Sequence, residues 1–189
     1  MVSDVPADES ALAGLMVRYQ GGDTRAFEEL YEVLSPQLGR YLRSLARDAS
    51  LADDLLQETF LQIHRARHSY MPSRPVRPWA YAIARHVFLM SRRSRYRRAK
   101  HETTAVVELP DAPIPPEVAD LGDRDEVRRA LARVADDHRE ALVLHHILGL
   151  SFREVGRVLG ISEGAAKVRA HRGIVTMRRI LGQEGATGA

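Results

Sequence analysis

The sequence contains no cysteine, which excludes disulfides, thiolate zinc sites, iron–sulfur clusters and a cysteine nucleophile. No apolar run comes near the ~18 residues needed to cross a bilayer. Residues 1–10 carry Asp4, Asp8 and Glu9, where a secretory leader has a basic start and an apolar core. No membrane insertion is expected, and the expected location is cytoplasmic. Aromatic residues make up only 6% of the chain, so its core has to rest on Leu, Val, Ile and Ala. Period-two alternation of useful length is missing too, which leaves no candidate strand and predicts an all-α protein. What is present is ordinary globular material: 189 residues, 44% hydrophobic and 28% charged, with 28 Lys+Arg against 25 Asp+Glu. That length suits one large domain or two small ones.

The formal charge of +3 is unevenly distributed. From Arg85 to Lys100 the charged residues are Arg85, Arg92, Arg93, Arg95, Arg97, Arg98 and Lys100, without an acid. From Glu102 to Asp123 the balance inverts, and Pro110, Pro113, Pro115 and Pro116 deny that stretch a helix. An acidic, proline-rich segment of this kind reads as a solvated linker. The chain therefore divides into a helical domain at 10–100, a linker at 101–122 and a second helical domain at 123–182. The tail 183–189 has nothing to pack and is expected to be disordered.

In the first domain Gly21-Gly22-Asp23 ends one pattern and starts another, with Asp23 or Thr24 as an N-cap. Phe27, Leu30, Tyr31, Leu34, Leu38, Leu42 and Leu45 recur at helical spacing, with Ser35-Pro36 expected to kink or restart the helix. A second helix is predicted over Leu51–His68. Leu56, Phe60 and Ile63 form its apolar stripe, and Asp54, Gln57, Glu58 and Arg65 face outward. The segment Tyr70–Pro78 has a proline every third residue and reads as a stiff, exposed loop that includes Tyr70 and Arg74. Trp79, Ile83, Val87 and Met90 then mark a third helical face that ends in the arginine run. Guanidinium groups in such density neutralise phosphates and displace condensed counterions, while loop and aromatic side chains nearby suit an unstacked base.

In the second domain Ser151-Phe152-Arg153-Glu154 has the form of a capping box. Gly160-Ile161-Ser162 makes a tight break, and Ser162 caps a further helix with Glu163 near its positive end. Helix, short turn and second helix form a helix-turn-helix, whose second member lies in the major groove. At 100° per residue, Ala166, Ala170, Gly173, Met177 and Leu181 fall on its inward side. Opposite them lie Gly164, Val168, His171 and Val175, flanked by Lys167 and Arg172. Lys167, His171 and Arg172 can donate to base edges or phosphates, and Val168 suits a thymine methyl. The small inward residues predict loose packing of this domain.

Three blocks together resemble bacterial RNA polymerase sigma factors of the sigma-70 class, in particular the short extracytoplasmic-function (ECF) group. They are Gly22-Asp23 through Ala26-Phe27-Glu28-Glu29-Leu30-Tyr31, then Asp53-Asp54-Leu55-Leu56-Gln57-Glu58-Thr59-Phe60-Leu61, and finally Leu150–Ser162 with Lys167–Arg172. The resemblance implies two domains, regions 2 and 4, and no enzymatic activity or cofactor. It implies core RNA polymerase, through its β′ clamp helices and β subunit, as a partner, with Asp54, Gln57 and Glu58 at the contact. Tyr70, Ser73, Arg74, Arg85, Arg92 and Arg93 would hold the melted −10 strand with one base flipped out. Ser162, Glu163, Lys167, Val168, His171 and Arg172 would read the −35 promoter DNA. An anti-sigma factor is a further implied partner. His86 and Met90 stand where the group usually has Asn and Asp, and the three loop prolines suggest a stiffer pocket with its own base preference.

Two other readings compete. His64 and His68 are spaced as helical metal ligands, but no third ligand of suitable spacing accompanies them, so no metal site is expected. A free-standing helix-turn-helix regulator would bind its duplex site without polymerase, whereas a sigma factor needs the polymerase for tight binding and strand opening.

Overall fold

The computed structural model describes residues 8–46, 48–101 and 124–185, and all regular structure among them is helical. Four helices build the amino-terminal bundle: α1 (Glu9–Gln20), α2 (Thr24–Leu45), α3 (Ala49–Ala66) and α4 (Val76–His101). Four more build the carboxy-terminal one: α5 (Arg124–Ala132), α6 (Asp136–Leu142), α7 (Phe152–Leu159) and α8 (Glu163–Gly185). Most of the linker lies outside the described residues, with only His101 seen as the end of α4. Of the tail, residues 183–185 continue α8 beyond the expected boundary, and 186–189 lie outside the described residues.

Aspartate caps the first three helices, each carboxylate taking backbone N–H groups that have no partner within the helix. Asp8 accepts from Ser10, Asp23 from Arg25 and Ala26, and Asp48 from Ser50. Asp23 is itself gripped by Arg18 at 2.7 and 2.9 Å. That hydrogen bond, together with those from the Ala26 and Arg25 amides, holds its carboxyl below the usual aspartate range.

The expected α2 stripe is buried at Leu30, Leu34, Leu38, Leu42 and Leu45, but Phe27 lies at its margin and Tyr31 is 44% exposed. Pro36 does not restart the helix, which is assigned without interruption from Thr24 to Leu45. On α3 the buried residues are Ala52, Leu55, Thr59, Phe60 and Ile63, with Leu56 only partly covered. α4 begins at Val76, two residues before Pro78. A proline in the first turn removes only an N–H that the helix would leave unpaired. Its buried face is Val76, Ala80, Tyr81, Ala84 and Val87, with Trp79 and Ile83 packed at the edge and Met90 45% exposed. The expected stripe was thus displaced toward the small alanines, which let α4 sit close to its neighbours.

The two bundles touch. α4 lies against α7, and α2 lies against α6 and the single π-helical turn Val143–Ile147 that follows it. At the centre of this contact Glu140 Oε1 accepts from the Tyr41 hydroxyl at 2.6 Å and from Arg85 Nε at 2.9 Å. Tyr41 is completely buried and stacks edge-on against Tyr81, ring centres 5.3 Å apart. Burial, then the Glu140 carboxylate, push the Tyr41 phenol well above its usual pKa.

Candidate polymerase and nucleic-acid interface

On α3, Asp54 and Gln57 are exposed and Glu58 partly so, all on the side away from Leu55 and Ile63. Glu58 accepts from Gln62 Nε2 at 2.6 Å and lies 3.8 Å from Arg65. Leu61, 52% exposed, shares this face. A half-exposed leucine one turn beyond a row of acids and an amide gives this face an apolar centre with a polar rim, the make-up common to docking surfaces. The periodicity of the stripe leaves Leu61 off the core, and that displacement was the available signal for it.

The loop between α3 and α4 is entered through a short 3₁₀ turn, Arg67–Ser69. Tyr70 is only 3% exposed rather than displayed to solvent. Its hydroxyl donates to the Arg74 carbonyl at 2.6 Å and its ring lies 5.4 Å from that of Trp79. Burial, followed by the nearby Glu9 charge, raises its pKa. The exposed crown is Met71, Pro72, Ser73 and Arg74, closed by an Arg74 N–H to Met71 carbonyl bond of 2.9 Å. Tyr70 therefore shapes the crown from beneath and leaves Ser73 and Arg74 as its polar tips.

The arginines divide into two sets. Arg85 is partly buried and committed to Glu140, and Arg92 lies 3.9 Å from Asp136 and over the Phe88 ring. Arg93, Arg95, Arg97 and Arg98 are exposed along the end of α4. An open groove of about 660 Å³ runs there, bordered among the described residues by Met90, Arg92, Arg93, Tyr96 and Arg97. Of the three α4 arginines expected at the −10 strand, Arg85 and Arg92 have an acidic partner across the bundle contact, and among the described residues no such pair is seen for Arg93.

The helix-turn-helix forms as expected. Ser151 accepts from the Glu154 amide while Glu154 accepts from the Ser151 amide, and Gly160 closes α7 at φ 70°. The turn is tight enough that a Cβ at Gly156 would come 2.8 Å from the Ile161 carbonyl oxygen. Ser162 caps α8 by accepting from Ala165 N–H at 3.2 Å, and Glu163 faces Arg153 at 3.5 Å. Both residues are thereby partly spent on holding the turn. Lys167, Val168, His171, Arg172 and Val175 are all exposed, opposite buried Ala166, Ala170, Gly173 and Met177. Ile180 replaces Leu181 as the last fully buried residue.

At Gly173 the small inward residue leaves no gap. A Cβ at Gly173 would meet the His138 carbonyl oxygen at 2.9 Å and Leu142 at 3.1 Å, so glycine lets α6 and α8 approach to backbone contact. The first helix of the motif is pinned as well. His145 stacks on Phe152 at 3.8 Å and its Nδ1 donates to the Leu150 carbonyl at 2.7 Å. His64 bonds the Tyr19 hydroxyl at 2.6 Å, and among the described residues no group of His, Asp and Glu is placed to hold a metal ion. Nor is any described helix long and apolar enough to cross a membrane.

Comparison with known proteins finds two family matches. Residues 30–98 match Sigma-70 region 2 and residues 124–182 match Sigma-70, region 4. The chain is 37% identical over 172 residues to the RNA polymerase sigma factor CarQ of Myxococcus xanthus, covering 89% of this chain and 96% of that one. It is 33% identical over 175 residues to the ECF RNA polymerase sigma factor SigM of Mycobacterium tuberculosis, covering 92% and 86%. Among solved structures it resembles CnrH in complex with the cytosolic domain of CnrY, with a TM-score of 0.69, 25% identity and coverage of 92% and 98%. It shares its fold with the sigma factor RpoE from Bartonella quintana, solved with the anti-sigma factor NepR, at a TM-score of 0.72, 24% identity and coverage of 82% and 96%.

Proposed function

The chain belongs to the ECF group of the sigma-70 family, and from that premise we propose how its surfaces divide the work of starting transcription. As a sigma factor it binds core RNA polymerase and directs promoter-specific initiation. The α3 face, with Asp54, Gln57 and Glu58 around Leu61, docks on the β′ clamp helices. The crown Met71–Arg74 receives a base extruded from the non-template −10 strand, with Ser73 and Arg74 as its polar contacts and Tyr70 as its floor. Arg93 and the exposed arginines beyond it hold the strand's phosphates, and Arg85 and Arg92 join them when the bundles part. Unpairing and unstacking cost a few kcal/mol per extruded base, and binding in a preformed pocket offsets that cost without nucleotide hydrolysis.

Lys167, Val168, His171 and Arg172 read the −35 duplex, with Ser162 and Glu163 at the amino end of the reading helix. What supports this division is that the exposed arginines of α4 and the exposed face of the helix-turn-helix sit on separate bundles of one chain. An anti-sigma protein that covers these surfaces is the corresponding inhibitor. Competition for core polymerase tests the docking assignment. The variant with Asp54, Gln57 and Glu58 all changed to alanine should fold normally and lose at least about tenfold in affinity, a loss of ~1.4 kcal/mol. Unchanged affinity would remove that face from the contact.

A further inference from the structure

α1 precedes the stretch matched as region 2, which begins at residue 30, and none of the surfaces above uses it. Three of its side chains nonetheless reach the two ends of the α3–α4 loop. At the far end of the loop, Glu9 Oε2 accepts the Val76 N–H at 2.8 Å, and its carboxylate also takes the Arg77 N–H. The Arg77 guanidinium lies 3.6 Å from the other oxygen. α4 has no cap of its own, because Pro75 precedes it with no side-chain acceptor. Val76 is fully buried, so water is a poor substitute for the carboxylate there. Burial pushes the Glu9 carboxyl up in pKa while the amide bonds and Arg77 pull it back, as expected for an acid drawn inward to serve the backbone.

At the near end of the loop, Gln20 Nε2 donates to the Arg67 carbonyl at 2.7 Å and to the Tyr70 carbonyl at 2.9 Å. Tyr19 locks the adjacent turn, its hydroxyl on His64 Nδ1 at 2.6 Å and its ring 5.9 Å beneath the Arg67 guanidinium. The crown Met71–Arg74 thus hangs between two anchors, and both belong to one helix.

We propose that α1 is the brace that sets the shape of the −10 pocket, with Glu9 and Gln20 as positioning residues for base capture. This rests on the reading that the crown takes the extruded base. Productive recognition needs its supporting groups held to within roughly 0.5 Å, and a loop ordered beforehand forfeits less entropy when the strand arrives. Fixing both loop ends from a single rigid element supplies that order. It also gives α1 control over which base fits, since moving either anchor tilts Ser73 and Arg74 relative to Tyr70.

The test uses full-length protein assembled with core polymerase. The template is a promoter duplex selected by that holoenzyme, with 2-aminopurine in the non-template −10 strand. Glu9→Ala and Gln20→Ala should each slow opening at least about tenfold, the factor that losing a single charge-assisted bond or two neutral hydrogen bonds already sets. They should also blunt the preference among the four bases at the extruded position and leave core affinity unchanged. Glu9→Gln, which keeps an acceptor for Val76, should restore most of the rate. Should either alanine variant fail to fold, Gln20→Glu keeps the side-chain volume, places oxygen against both carbonyls and carries the same expectation. A Ser73→Ala/Arg74→Ala variant separates the two ideas. If it opens DNA poorly while the α1 variants keep the wild-type rate and base preference, the brace is overturned and the capture loop stands. If it opens DNA normally, the capture loop falls and the brace with it.

Discussion

Glu140 is the place at which to part the two bundles. Its carboxylate takes one bond from fully buried Tyr41 and one from Arg85, whose side chain is 25% exposed. Glu140→Ala removes both and strands a phenol hydroxyl where water does not reach. Hydrogen bonds to a charged group contribute about 1.5–3 kcal/mol each, and a stranded buried donor costs about 1–3 kcal/mol. Allowing for the partial exposure of Arg85, the closed arrangement should lose roughly 3 kcal/mol, a shift of about 100-fold toward the open one. The open form is the one a promoter demands. Elements named −10 and −35 are separated by about 25 base pairs, or roughly 85 Å at 3.4 Å per pair. A compact body of this length has a radius of gyration near 16 Å and a width of about 40 Å. Small-angle scattering should therefore show a larger radius of gyration for Glu140→Ala than for wild type, and stopped-flow mixing should show faster association with core polymerase. Tyr41→Phe, which keeps the packing and loses one donor, should fall between. A variant with the wild-type radius and association rate would show that Glu140 does not hold the bundles closed.

Other expectations follow from single contacts. Gly156→Ala, whose new methyl would sit 2.8 Å from a backbone oxygen, should cost about 1–3 kcal/mol in a thermal or denaturant melt. An unchanged midpoint would show that the turn has slack. Lys167→Ala or Arg172→Ala should cost about 1–3 kcal/mol at one −35 position if the side chain reads a base. If it holds a phosphate, the loss should be uniform across sequences, with the salt slope falling by about 1. No change in either would take that residue off the DNA. Because Arg18 and the α2 amides hold Asp23 below its unfolded pKa, its contribution is complete above about pH 3.9 and disappears as the pH falls through the lower folded value. Asp23→Asn should flatten the acid limb of the stability curve, and an identical limb would contradict the capping account.

Much of the architecture was legible because it is local. The capping box at Ser151 and Glu154, the break at Gly160 and the phase of α8 depend on residues within a few positions of one another, and they formed as the spacing implied. Long-range contacts were not legible. Glu9 reads only as one of several acids near the start of the chain, until folding brings it to an amide 67 residues away. Glu140 belongs to no local pattern, because its partners are 99 and 55 positions distant. Tyr70 was expected at the surface for its proline-rich setting, but its ring is drawn beneath the loop by Trp79 and its hydroxyl by the Arg74 carbonyl. Gly173 shows the same limit in another form. A missing side chain reads as a packing defect along one helix, and as room for a neighbour's backbone once α6 is in place.

Run-off transcription with purified core polymerase and a randomised promoter library tests the central claim most directly. Adding this protein should redirect initiation to a defined promoter class, with permanganate reactivity appearing at the −10 element in the absence of any hydrolysable nucleotide. If the protein is active in binding polymerase yet leaves both the start sites and the state of the −10 strands unchanged, the account is wrong.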